Sequence, residues 1–193
     1  PVDFLTGPTA FSNHLLVQLA TQLGDWRPDV VLAHDWLVAW ASDTLRALLE
    51  VPMVATVHAT ERGRHGGHVP VGTPAAVNSV EWWLTYQAWR VIACSRFMMR
   101  EVIDGFELPS DKVRLIPNGI DVSRWSAAES APRERLVVAW GRIQYEKGFQ
   151  VLARAMSIVR WRLPDVRCVI AGRGSYLPEL QTQIDVEGVT DIV

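Results

Sequence analysis

Short apolar runs alternate along this chain with stretches whose apolar positions recur every three or four residues. Leu15, Leu16, Leu19 and Leu23 carry the helical spacing between Phe11 and Leu23, with Ser12 expected as N-cap and Gly24 as stop. Asp29 to Ala33 follows as a short strand. Leu37 to Leu49 is again helical, with Pro52 expected to end it, and Met53 to Val57 is the next strand. From Thr60 to Asn78 glycine, proline and two histidines interrupt any period, and the segment reads as a loop. Val80, Trp83, Leu84 and Ala88 resume the helical spacing, capped by Asn78 or Ser79. Val91 to Cys94 is a strand, Ser95 caps a helix to about Asp104 that Gly105 closes, and Val113 to Ile116 is a strand ending at Pro117-Asn118-Gly119.

A polar Ser/Ala/Glu-rich piece, Ser123 to Glu134, reads as a linker. Strand Leu136–Trp140, a helix over 147–162, strand Val166–Ala171, the pair Gly172/Gly174 and a helix from Leu177 follow. Asp191-Ile192-Val193 reads as the opening of another strand. Continuous apolar strands between helices imply parallel sheets covered on both faces. The expected fold class is therefore α/β, with two Rossmann-like domains at 1–122 and 135–193 joined by the linker 123–134.

The exits of these strands are where an open α/β sheet binds ligands. They carry His34-Asp35-Trp36, His58, Ser95, Asn118-Gly119, Gly141-Arg142 and Gly172-Arg173-Gly174, and one crevice is expected to gather them. The stretch Trp140 to Gly148 concentrates this chemistry. Gly141 lets backbone approach a ligand, and Arg142 and Lys147 bring two cations to a helix start whose free N–H groups favour an anion. Lys147 is one of two lysines, against seventeen arginines. A phosphate or diphosphate suits such a loop; so does a plain solvated turn.

Each of the other residues also has a plain reading. His34 and His58 fit as cap or core histidines, Asp35 as the cap of the following helix, and Asn118-Gly119 as a turn. Gly172-Arg173-Gly174 lacks the third glycine of a dinucleotide fingerprint, since Leu177 stands in its place. His58, His65 and His68 lie in a glycine-rich loop without a metal-binding spacing, so no metal is expected. Trp82, Trp83, Tyr86 and Trp89 read as core packing, and Glu179 and Glu187 as a solvated helix face.

Composition narrows the classes. A chain of 193 residues with 49% hydrophobic content can bury a core, and a net charge of −2 argues against a nucleic-acid binder. Residues 1–122 carry −4 and residues 123–193 carry +2, which fits a neutral sugar on the first half and an anion on the second. Cys94 and Cys168 sit in apolar runs and read as buried free thiols of a reducing compartment, hence a cytoplasmic protein. No apolar run approaches the roughly 20 residues that span a bilayer. The chain starts at Pro1 and reads as an internal fragment.

Val57-His58-Ala59-Thr60-Glu61-Arg62-Gly63-Arg64-His65-Gly66-Gly67, Ser79-Val80-Glu81-Trp82-Trp83-Leu84, Ile116-Pro117-Asn118-Gly119-Ile120-Asp121 and Gly141-Arg142-(x4)-Lys147-Gly148 resemble the glycogen-synthase-like members of glycosyltransferase family four. The histidine-loop string is most similar to the bacterial α-1,4-glucan glucosyltransferases. The resemblance implies a GT-B fold with both Rossmann-like domains incomplete. It implies glucose transfer, with retention and without metal or cofactor, from UDP- or ADP-glucose to an α-1,4-glucan.

Carried over by position, Arg142 and Lys147 would hold the donor diphosphate, and His58 would lie beside the reacting face of the sugar. Asn118 and Gly119 would contact the glucose, and Asp35 and Trp36 would line its site. Gly141, Gly172 and Gly174 would let backbone approach the nucleotide. Arg62 to Gly67, with His65, would shape the acceptor side. Two family features, a glycine-rich loop near the start and a Glu-(x7)-Glu pair, are absent from the chain, and the fragment alone is expected to be inactive. Other readings remain open: another family-four hexosyltransferase, such as a mannosyltransferase or a sucrose- or trehalose-type synthase, or a non-catalytic nucleotide-sugar- or glucan-binding remnant.

Overall fold

The computed structural model describes residues 6–125 and 134–193, so residues 126–133 of the expected linker lie outside the described residues. The chain divides into two compact units, Pro1–Asp121 and Val122–Val193. In the first, the order is α1 (Thr6–Gln22), β1 (Val31–His34), α2 (Ala39–Leu49), β2 (Met53–Val57), α3 (Glu61–Arg64), α4 (Thr73–Gln87), β3 (Arg90–Ala93), α5 (Arg96–Phe106) and β4 (Val113–Leu115). The second holds β5 (Leu136–Trp140), α6 (Phe149–Val159), β6 (Arg167–Ala171) and α7 (Leu177–Val186).

All strand pairs are parallel, in the order β1-β2-β3-β4 and β5-β6. Alternation along β2 sends Met53, Ala55 and Val57 into one core with Ala33, Leu84, Val91, Val102 and Val113. In the second unit Ile143, Phe149 and Leu180 form one cluster, and Met156, Val166 and Cys168 another. The expected cover on both sheet faces is incomplete among the described residues. Met53, Ala55 and Val57 on one face of β2 and Thr56 on the other are buried, whereas Leu32 on β1 is 54% exposed and Trp140 on β5 is 75% exposed.

Several element ends differ from the sequence expectation. Ser12 is a fully buried interior residue of α1 rather than its cap. Glu50, in the left-handed region at φ 54°, closes α2 before Pro52 is reached. Helix α4 begins at Thr73, with Gly72 at φ 86° before it and Pro74 in its first turn, so neither Asn78 nor Ser79 is a cap. Gly105 lies inside α5, and Glu107 at φ 54° ends it. Instead of one helix over 147–162, a single 3-10 turn at Tyr145–Lys147 precedes Gly148 at φ 74° and then α6. Residues 190–192 form a turn where a strand was expected. Positive φ marks these ends, at Gly72 and Gly148 but also at Glu50 and Glu107, and apolar periodicity does not report φ.

The aromatic group on α4 is also not core. Trp83 alone packs against the core; Trp82, Tyr86 and Trp89 are 43%, 60% and 59% exposed. Among the described residues no helix is long and apolar enough to cross a membrane.

Candidate functional site

Parallel register determines what meets at the carboxyl edge of the first sheet. His34 pairs with Thr56 and Val57 with Ala93, so His34, His58 and Cys94 leave three adjacent strands side by side. His34 Nδ1 lies 2.9 Å from His58 Nε2, and Cys94 Sγ lies 3.5 Å from His58 Nδ1. The two imidazole planes are 11° apart. Cys94 is thus half-buried and engaged with an imidazole, not a buried thiol like Cys168.

Asp35 does not cap the helix that follows. Its backbone stands at φ 58°, a region costly for a residue with a Cβ, and two hydrogen bonds hold it there. Its own amide donates to Thr56 O at 3.0 Å, and the His58 amide donates to Asp35 Oδ1 at 2.8 Å. Trp36 is 6% exposed and presents little surface to a ligand. His34 and Cys94 reach opposite nitrogens of His58, so these three cannot face one ion. Among the described residues no group of three or more His, Cys, Asp or Glu is placed to hold a metal.

The loop after β2 is built around two carboxyls, buried Glu81 and half-buried Glu101. Thr60 caps α3 by accepting from the Gly63 amide at 2.9 Å, and its hydroxyl donates to Glu101. The Glu61 amide lies 3.0 Å from both oxygens of Glu81, a side chain only 4% exposed. Burial pushes Glu81 up to about 7, against the opposing pull of the Glu61 amide and Arg64. Burial also raises Glu101, opposed by Arg62 and the Gly63 amide.

Arg62 and His65, expected on the acceptor side, are used within the loop. Arg62 Nη1 donates to Gly67 O at 3.2 Å, and its stem crosses α5 where Gly105 leaves room, Nε standing 3.4 Å from the position of a Cβ. His65 Nδ1 is 2.9 Å from Glu61 O. Ser95 caps α5, accepting from the Met98 amide at 3.0 Å. Asn118 and Gly119 are exposed on an irregular segment and form no hydrogen-bonded turn, contrary to the turn reading.

In the second unit the exits of β5 and β6 lock together through backbone. The Gly141 amide donates to Ala171 O at 3.0 Å, and the Ile143 amide to Arg173 O at 2.8 Å. A Cβ on Gly172 would stand 1.9 Å from Gly141 O, and one on Gly174 1.8 Å from Ile143 O. Both glycines therefore already have a reason inside the unit, the crossing of two loops. Gly141 sits at φ 154° on the same crossing. Arg142 and Lys147 are exposed beside it and make no side-chain hydrogen bond or ion pair among the described residues. No side chain caps α6; the Val151 amide donates to Gly148 O at 2.9 Å, and the Phe149 and Gln150 amides before it have no acceptor among the described residues.

The expected site residues thus divide between the units. His34, Asp35 and His58 converge in the first; Gly141, Arg142, Lys147, Gly172 and Gly174 converge in the second. Sequence reasoning gave no role to Cys94, Glu81, Glu101 or Thr60. A signal existed for Glu81, a lone carboxylate within Val80-Glu81-Trp82-Trp83-Leu84. None existed for Glu101, whose partner is 41 residues away.

Comparison with known proteins identifies the family and the fold. The profile of Glycosyltransferase Family 4 matches residues 4–124, and that of Glycosyl transferases group 1 matches residues 123–193. The chain is 42% identical over 154 residues to the glycogen synthase of Mycobacterium tuberculosis strain H37Rv, covering 78% of this chain and 37% of that protein. It is 30% identical over 169 residues to the alpha-maltose-1-phosphate synthase of Mycolicibacterium smegmatis, covering 80% of this chain and 43% of that one. Its fold matches Anabaena HepE, solved in complex with UDP and glucose, with a TM-score of 0.73, 18% identity, and coverage of 93% of this chain and 50% of that one. The chain spans less than half the length of both curated relatives.

Proposed function

The chain belongs to glycosyltransferase family 4, with a GT-B-type fold, and from that premise we propose that the protein carrying it is a retaining glucosyltransferase that extends an α-1,4-glucan from UDP- or ADP-glucose. The observation that carries this reading is the pair Arg142 and Lys147, exposed and without a partner among the described residues beside the open amides of α6. Two unpaired cations and aligned N–H groups suit a diphosphate, which gains negative charge as the glycosyl bond breaks. Arg142 offers a planar fork and Lys147 a compact point charge.

His58 is the residue beside the reacting sugar, Asp35 fixes its backbone, and Asn118 and Gly119 contact the glucose. The Thr60–Gly67 loop serves the acceptor. Charge neutralisation by Arg142 and Lys147 leaves the reaction independent of metal and of any cofactor. The glucan acceptor is supported by 42% identity to a glycogen synthase. Transfer of labelled glucose from UDP-glucose and ADP-glucose to maltooligosaccharides, with and without EDTA, tests the reading in the full-length protein. Transfer that survives EDTA is expected; a strict requirement for a divalent ion, or preference for another hexose, overturns it.

A further inference from the structure

The four residues of α3 are too few to hold a helix by themselves, since a helical turn is costly to nucleate. Two neighbouring helices supply what the segment lacks. From α4, Glu81 sets both carboxyl oxygens 3.0 Å from the Glu61 amide, the first orphan donor of α3. From α5, Glu101 takes the Thr60 hydroxyl, and that same hydroxyl oxygen accepts from the Gly63 amide. The approach is close enough that a Cβ on Gly63 would stand 3.0 Å from Glu101 Oε1.

Burying a carboxyl is expensive, and a hydrocarbon at position 81 would pack without that cost. Arg64 does not repay it, because its Nη1 stays 3.9 Å from Glu81 Oε1 and pairs at 2.9 Å with Glu61 instead. What Glu81 secures is therefore the backbone of the loop. We propose that Glu81 and Glu101 are positioning residues that hold the Thr60–Gly67 loop in the conformation that meets the acceptor glucan, an inference that rests on the glucosyltransferase reading above. They touch no substrate themselves; they act through backbone amides, as supporting shells act on a binding site.

The test is made in the full-length protein with Glu81→Leu, Glu81→Gln, Glu101→Leu and Glu101→Gln. Each leucine variant is expected to raise the KM for a maltooligosaccharide acceptor at least tenfold while the donor KM moves less than threefold. Each glutamine keeps an acceptor oxygen and is expected to restore most of the loss. Amides of residues 61–67 are expected to exchange hydrogen at least tenfold faster in the leucine variants. Parallel changes in donor and acceptor parameters, or wild-type exchange at 61–67, overturn the proposal. Should Glu81→Leu fail to fold, Glu101→Leu and Thr60→Val carry the same two readouts. A wild-type protein that transfers nothing from either donor would sink the functional reading instead, and hydrogen exchange would still decide whether the carboxyls hold the loop.

Discussion

His34, His58 and Cys94 at the edge of the first sheet satisfy one another, whereas Arg142 and Lys147 at the edge of the second have no side-chain partner among the described residues. The two edges are made rigid by different means. The first uses side chains from distant elements: Asp35 on the His58 amide, Glu81 and Glu101 on the loop of α3. The second uses backbone against backbone, which requires that Gly172 and Gly174 have no side chains at all. Rigidity obtained without spending charge leaves the charges for a ligand. The first edge is tied together by its own side chains; on the proposed function, the second is left to receive an anion.

The largest effect should come from breaking the glycine crossing. Gly174→Ala puts a Cβ 1.8 Å from Ile143 O and 2.8 Å from Ile143 N, backbone that cannot step aside. A loss of about 4 kcal/mol or more is expected by denaturant unfolding of the second unit. Gly119→Ala, which meets nothing within 4 Å, should stay within about 0.5 kcal/mol. A tolerated Gly174→Ala would remove the backbone account of that edge.

Next comes the charge itself. Lys147→Ala should lower turnover of the full-length enzyme by about 10²–10³-fold, the range for loss of one preorganised electrostatic group. The fold should be unchanged, because Lys147 is exposed and holds nothing else among the described residues. Unaltered kcat would remove the diphosphate assignment.

The pH dependence of stability should separate the units. Glu81 has a folded pKa of about 7 against an ordinary 4.5, so the folded first unit holds this proton more tightly than the unfolded chain. Its contribution is complete below 4.5 and is lost as pH rises through about 7, a decline on the order of 3 kcal/mol. Glu81→Gln should flatten that slope. In the second unit Asp165 and Asp191 are held below the ordinary carboxylate value by hydrogen bonds from Arg135 and Arg160. Their contribution has the opposite sign: present above the unfolded pKa and lost on acidification. Chemical denaturation monitored separately for the two units at pH 3, 5 and 7 checks both signs. A smaller loss is expected from Ser95→Ala, which removes the cap of α5 at a cost of about 1 kcal/mol, above only the near-neutral Gly119→Ala.

Much of the scaffold was legible because strands announce themselves by apolar runs. Met53–Val57 and Leu136–Trp140 match the observed strands to the residue, and Leu177 does open α7. The errors cluster where a residue at positive φ sets a boundary, as at Gly72, Gly148, Glu50 and Glu107, or where one face of a helix was assigned to the core without knowing which face packs. Trp82 and Tyr86 stack on each other in solvent at 5.2 Å for that reason. In the candidate site, His58, Asp35 and Arg142 stood out because each occupies a strand exit, and Lys147 because it is one of two lysines and precedes a helix start. Glu81 and Glu101 did not, since each lies mid-helix and gains its role only from a loop it touches across the fold.

The amino-acid sequence alone determined the alternation of parallel strands and helices, the residues at the strand exits and the likeness to a sugar-transferring family, because these depend on periodicity and local spacing. Tertiary structure alone decided that His58 is bracketed by His34 and Cys94, that buried Glu81 and half-buried Glu101 bond to the α3 loop, and that Gly172 and Gly174 serve a loop crossing. The reason is reach: parallel register and helix packing bring together atoms separated by 20 to 41 residues, and no local pattern records which of them will touch.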